Sequence, residues 1–256
     1  MNSKLARFLI ALLTTAMPAT VHSQVRYISN DNQTITITGW DEVSGSLDIP
    51  DLIDGLPVTE IVENVFVGKP NLTSVKIPGS VTSMGSGVFR SCTSLTNVVI
   101  GDGVTDIREG MFQDCSSLAT VVFGSRLTDI GAGAFAGCSN LTSMTFGKNL
   151  TTIGAWAFDK CPNLKSLHFL GDKPSLGYLA LGKNGGIIYF VQGREGWGDS
   201  FAGRPTAIWK PTITPASNNK LILQATPDLT QPVWTSLATN HTIFHQNQLF
   251  YRLLVE

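Results

Sequence analysis

Apolar residues recur through the middle of the chain at one fixed spacing. Phe66, Phe89, Phe112, Phe135 and Phe158 set the clock, with a period of 23. Six residues after each comes Leu72, Leu95, Leu118, Leu141 or Leu164, and nine after comes Val75, Val98, Val121, Met144 or Leu167. Eleven after comes Ile77, Ile100, Phe123, Phe146 or Phe169; five before comes Ile61, Met84, Ile107, Ile130 or Ile153. An eighth-before column holds Val58, Val81, Val104, Leu127 and Leu150. A unit this short cannot enclose its own apolar face, so successive units must stack and share one continuous core. Within each unit the end of the pattern alternates, as in Val75, Lys76 and Ile77. Alternation predicts a short strand buried on one face. One such strand per coil builds a parallel sheet with rungs about 4.8 Å apart. The stretch from Gly131 to Phe135, repeated from Gly154 to Phe158, turns the chain and is expected to open a helical or 3₁₀ turn. The predicted fold class is therefore an α/β solenoid with the sheet on its concave face.

The ends must be capped, because an open solenoid exposes core. Tyr27 and Ile28, then Asn30 to Asn32, then Thr34 to Thr38, predict a hairpin. Leu47 to Ile49 predicts a further rung ahead of the first repeat. Leu181 falls one full period after Phe158, so 171–190 is a degenerate coil with a strand at Ile187 to Phe190. Lys4 and Arg7, the apolar run Phe8 to Leu13, Pro18 and the segment Val21 to Ser23 have the layout of a secretory signal peptide. Cleavage is expected near Ser23 and Gln24. The expected organisation is a signal peptide (1–23), an N-terminal β cap (24–57), repeats (58–170), a degenerate repeat with C-terminal cap (171–209), a linker (210–216) and a small β-rich module (217–256).

The coil from Leu127 to Phe146 resembles the BspA-like, treponemal-type leucine-rich repeat: Gly131, Ala134, Phe135, Cys138, Leu141, Met144 and Phe146 occupy that motif's positions. The runs Asp54 to Thr59, Gly196 to Gly198 and Gly203 to Thr206 resemble the segments that flank such repeats. Val62 and Arg108 stand where the motif has Gly, and Lys69 where it has Cys. The resemblance implies a leucine-rich-repeat horseshoe, bacterial origin, and adhesion or protein–protein interaction at the cell surface. The C-terminal residues Trp234, Thr239, Asn240 and Phe250 to Leu253 resemble segments that follow such repeats in some exported bacterial proteins.

Composition narrows the function further. Of the 256 residues, 14% are charged and the formal net charge is −1. Phosphate binding needs a basic excess, so nucleic acid is not the expected partner. No apolar stretch reaches the roughly 20 residues of a membrane span. No nucleophile elbow, phosphate loop or dinucleotide fingerprint occurs, and neither a cofactor nor a catalytic residue is expected. Cys92, Cys115, Cys138 and Cys161 all lie three residues after a Phe. Stacking sets their side chains parallel, which suits neither a disulfide nor a tetrahedral metal site and predicts a buried, unpaired column. The Thr59, Thr82, Thr105, Thr128 and Thr151 column predicts hydroxyls that bond along the stack. Asp106 and Asp129 share a column, and His241 and His245 stand four apart; both pairs are expected to be idle rather than metal-binding.

The candidate binding face is the outer side of the stacked strands. One row is Lys76, Val99, Val122, Thr145 and His168; beside it run Ser74, Asn97, Thr120, Ser143 and Ser166. Exposed apolar residues rimmed by polar ones mark interaction sites. Trp156, at a position that other coils fill with Asn64, Gly87, Gly110 or Gly133, is a second candidate on the convex side. The sequence thus predicts a secreted, cell-surface or periplasmic non-catalytic protein that binds a protein or glycan. The alternative is a passive envelope or matrix component held by its C-terminal module.

Overall fold

The computed structural model describes residues 25–209 and the backbone of 212–216 and 220–224. Two antiparallel strands, β1 (Val25–Ser29) and β2 (Ile35–Trp40), form the N-terminal hairpin, and β3 (Gly45–Asp48) is the rung ahead of the repeats. A small hairpin of β4 (Leu52–Ile53) and β5 (Leu56–Ile61) leads into them. Each coil then contributes one wide and one narrow strand: β6 (Leu72–Ile77) and β7 (Ser83–Met84), β8 (Asn97–Ile100) and β9 (Asp106–Ile107), β10 (Thr120–Val122) and β11 (Asp129–Ile130), β12 (Ser143–Phe146) and β13 (Thr152–Ile153), β14 (Ser166–Phe169) and β15 (Ser175–Leu176). β16 (Ile187–Val191), β17 (Ser200–Phe201) and β18 (Arg204–Trp209) close the stack.

The wide strands form two parallel ladders, β3-β6-β8-β10 and β12-β14-β16-β18. The narrow strands form a second wall, β9-β11-β13-β15, with β7 paired to β5. Between the walls lies the core. Phe66, Phe89, Phe112, Phe135 and Phe158 are fully buried and stack face to face at 5.0–5.5 Å. Trp40 of the cap covers the first ring at 5.8 Å. Each ring removed from water contributes about 1.5–3 kcal/mol.

No helix occurs among the described residues, which corrects the expected α/β class to an all-β solenoid there. The reason is where the backbone bonds go. In the fourth coil the amides of Gly133, Phe135 and Gly137 donate to Ala155, Ala157 and Asp159 of the next coil, while Ala134 and Ala136 donate three residues back. Alternation between neighbours and self leaves no run of bonds to the fourth residue back, which an α-helix requires. Left-handed backbone at Gly133 (φ 59°) and Gly137 (φ 78°) enforces the same break.

The glycines at 131 and 154 serve close approach. A Cβ at either would meet backbone atoms of the preceding coil at 2.6–2.7 Å. Their amides donate to Ile107 and Ile130 across that contact. Arg108 stands in the same column, and there the narrow wall is open: β9 pairs with β11 but not with β7. Arg108 turns outward to Asp106 at 2.8 Å.

Two departures from the repeat are absorbed as caps. Lys69, in the cysteine column, donates its Nζ to the Asp41 carbonyl of the N-terminal cap at 2.9 Å. Asn184, one coil after Cys161, donates Nδ2 to Phe158 O at 2.9 Å. The expected linker carries a strand instead: β19 (Thr212–Ala216) pairs antiparallel with β20 (Lys220–Gln224). The β-branched residues Thr212, Ile213 and Thr214 favour that conformation. The expected signal peptide, His241, His245 and the remainder of the expected C-terminal module lie outside the described residues.

Candidate functional site

Strand pairing sets the predicted rows in register in two segments, one along β6, β8 and β10 and one along β12 and β14. Lys76 lies opposite Val99, and Val99 opposite Val122; Thr145 lies opposite His168. In the second row Ser74, Asn97 and Thr120 align, as do Ser143 and Ser166. Val99, Val122 and Thr145 are half-buried, as is the whole second row, and Lys76 is exposed. The strip therefore offers β-branched carbon at its centre and hydroxyls beside it. Ser74 already bonds along the row, donating its hydroxyl to Ser46 at 2.8 Å.

His168 does not belong to the exposed strip. It is only 5% exposed. Tyr189 stacks on its ring at 4.8 Å and Trp209 meets it edge-on at 5.0 Å. Neither ring nitrogen has a hydrogen-bond partner, and burial lowers its pKa to about 4. Tyr189 continues the row by register, opposite His168. Sequence reasoning missed Tyr189 because it falls short of one full period after His168.

The other candidates resolve as structure. All four cysteines are free and buried. Each Sγ donates to the carbonyl of a Phe in the preceding coil, Cys115 to Phe89 and Cys138 to Phe112, at 3.0–3.1 Å. Burial raises every thiol pKa: Cys161 to about 12, Cys115 and Cys138 beyond the range of a reactive thiol, Cys92 in the same direction. A maleimide probe at pH 8 should therefore label none of the four in the folded protein and all four after unfolding without reductant. Labelling of fewer after unfolding would mean disulfides.

The threonine column bonds as expected in part. Thr82, Thr128 and Thr151 donate their hydroxyls to the carbonyls of Thr59, Thr105 and Thr128. Asp106 and Asp129 are register partners, yet Asp106 is held by Arg108 and by the Thr105 hydroxyl. No cluster of His, Cys, Asp and Glu that could hold a metal ion occurs among the described residues. Trp156 is 48% exposed, has left-handed backbone (φ 53°) and meets Tyr178 edge-on at 5.7 Å.

Short coils stacked in register, with parallel ladders of one strand per coil and a buried Phe spine, define a leucine-rich-repeat fold. The sequence model of the BspA type Leucine rich repeat region matches residues 59–184 in six copies, so this region belongs to the BspA-type leucine-rich repeats. The matched span takes in the degenerate coil around Leu181.

The crystal structure of the Leucine Rich Repeat protein of T. pallidum is similar over 63% of this chain and 85% of that one, at 28% identity and a TM-score of 0.54. Leucine-rich repeat proteins of Bacteroides ovatus and Eubacterium ventriosum share the fold at 20% identity, each with a TM-score of 0.50. They are covered over 66% and 54% of their own lengths, by 72% and 69% of this chain. No curated protein matches the sequence. No catalytic family is indicated. Among the described residues no helix is long and apolar enough to cross a membrane.

Proposed function

We propose that the protein is an exported, non-catalytic binding protein that engages a protein or glycan of the cell surface through its concave sheet. The observation that carries this reading is the strip itself. Val99 and Val122 keep part of their surface in water on two paired strands, with Asn97 and Thr120 beside them. The parallel ladder fixes these side chains in place before any partner arrives, so little ordering entropy is lost on binding. Lys76 is the strip's one charged member in the predicted rows, which suits a largely neutral ligand surface. The N-terminal charge and apolar pattern supports export.

The test is capture from cell-envelope extract and a glycan array by the chain beginning at Gln24, beside a Val99→Glu/Val122→Glu double variant. The substituted positions are half-buried and on the sheet's outer face, so the variant should stay folded by circular dichroism. Wild type is expected to retain a partner that the variant loses. Equal capture by both would move binding off the concave face, to the Trp156 and Tyr178 surface or to the C-terminal segment. Capture by neither would favour a passive envelope component.

A further inference from the structure

The concave ladder has one interruption among the described coils, between β10 and β12. Elsewhere each coil donates to the one before: Thr96 N to Thr73 O, Ala119 N to Thr96 O, Lys165 N to Thr142 O. The equivalent bond from Thr142 to Ala119 is missing, and no pair of residues in β10 and β12 is hydrogen-bonded. A cavity of about 140 Å³ opens there, lined by both strands. Three further observations agree with a real parting of the two wide strands, although the narrow wall and the turn segments of the same coils stay bonded. Phe123 and Phe146, which flank it in the core, have ring centroids 5.9 Å apart, against 4.9 Å for Phe146 and Phe169 across the closed rung that follows. Val121 is only partly buried, although Val98 and Met144 on either side of it in the same column are buried. The hydroxyls of Thr120, Ser143 and Thr145, all at the cavity, have no hydrogen-bond partner among the described residues, and the buried Asn97 Oδ1 next along the row has none either.

We propose that this slot is a subsite for a neutral saccharide, whose ring lies on Val99 and Val122 and whose hydroxyls enter between β10 and β12. The inference rests on the concave-face reading above and specifies its ligand. Width excludes the main competitor. The strands still approach within 8 Å, Cα to Cα, whereas a peptide inserted as a third strand needs about 9.6 Å, two strand spacings. The volume accommodates several water-sized groups, which matches hydroxyl and hydroxymethyl substituents. The side chains lining it are the hydroxyls of Thr120, Ser143 and Thr145 over aliphatic carbon, Phe123 and Met144, with no charged side chain. Such a surface pairs with alternating hydroxyl and C–H groups and gives no counter-charge to an anion. The unbonded backbone groups of the two strands supply donors and acceptors together, and a hydroxyl is both.

The experiment is titration of the full chain from Gln24, isotope-labelled, with glucose, galactose, mannose and N-acetylglucosamine, and with glucuronate and triglycine as competitors of other chemistry. Saturable shifts of the amides of β10 and β12 with at least one neutral sugar at millimolar concentration are expected. A Thr120→Val/Thr145→Val variant removes two hydroxyls at nearly constant volume. It should bind that sugar about thirtyfold more weakly, which corresponds to about 2 kcal/mol for two lost bonds. Thr145→Ser should retain binding, which separates hydroxyl loss from damage to the fold. Three results would overturn the saccharide assignment: no shift with any neutral sugar, unchanged affinity in the double valine variant, or preference for triglycine or glucuronate. If the Val99→Glu/Val122→Glu variant still loses an envelope partner in any of these cases, only the ligand class falls and concave-face binding stands.

Discussion

Truncating Phe135 to alanine is expected to cost about 3–5 kcal/mol, a large part of the stability of an ordinary domain. The ring is fully buried, stacked at 5.4 Å on Phe112 on one side and Phe158 on the other, and meets the edge of Phe123 at 6.1 Å. Deletion leaves a void that neighbours cannot fill. Backbone bonds of the turn segments hold the coils on both sides at a fixed rise, so relaxation toward the cavity would break bonds such as Phe112 N to Ala134 O and Phe135 N to Ala157 O. Position matters as well as size. Solenoid stability is the sum of coil terms and nearest-neighbour interface terms, and Phe135 sits at two interfaces in mid-stack. Its loss should therefore divide the protein into two cooperative units. Phe66→Ala, beside the cap and next to Trp40 and Phe89, should instead fray one end. Urea unfolding checks both points: a lowered midpoint with a broadened or biphasic transition for Phe135→Ala, and a smaller loss in a single transition for Phe66→Ala. A sharp single transition displaced by less than about 1 kcal/mol in Phe135→Ala would show that the spine is not the main source of cohesion.

The architecture was legible because stacking makes one coil's needs identical to the next coil's. A column that must be buried once must be buried every time, and the Phe, Leu and Cys columns carry that demand in plain sequence. Three features were less legible, each for a physical reason. The absence of helix in the Gly131 to Phe135 segment depends on which partner each amide chooses, and a carbonyl in the next coil leaves no mark on side-chain pattern. The parting between β10 and β12 runs against a periodic pattern that predicts an unbroken sheet; the exchange of Ile for Phe at 123 and 146 is the local difference that coincides with it. Arg108 was visible as a departure, and the narrow wall is open at its coil, but a sequence shows only that a side chain stands in a tight column, not whether the chain moves or the residue does. Among the candidate concave residues, His168 alone is covered. Alternation places it outward. The cover over it comes from Tyr189 and Trp209, in strands that have left the period of the repeats.

That cover makes His168 an acid-sensitive point of the fold. The imidazole is enclosed between Tyr189 and Trp209 with both nitrogens unpartnered. Desolvation lowers its pKa from 6.5 to about 4. Above pH 6.5 the ring is neutral in both folded and unfolded chains, and it contributes no pH dependence. As pH falls from 6.5 toward 4, the unfolded chain takes up a proton that the folded chain refuses, so stability declines across that window. By pH 4.5 the loss amounts to about 2.5 kcal/mol, and below pH 4, where both forms are protonated, this contribution levels off. His168→Phe keeps a flat ring between the two aromatics and removes the titration. It should be at least as stable as wild type at pH 7, because two buried polar edges without partners are replaced by carbon. Urea unfolding of both proteins at pH 7 and pH 4.5 gives the comparison: the gap between them should widen by about 2.5 kcal/mol at the lower pH, while carboxylate titration, common to both, cancels. A constant gap would mean that the folded protein protonates His168 freely, and hence that Tyr189 and Trp209 do not seal it.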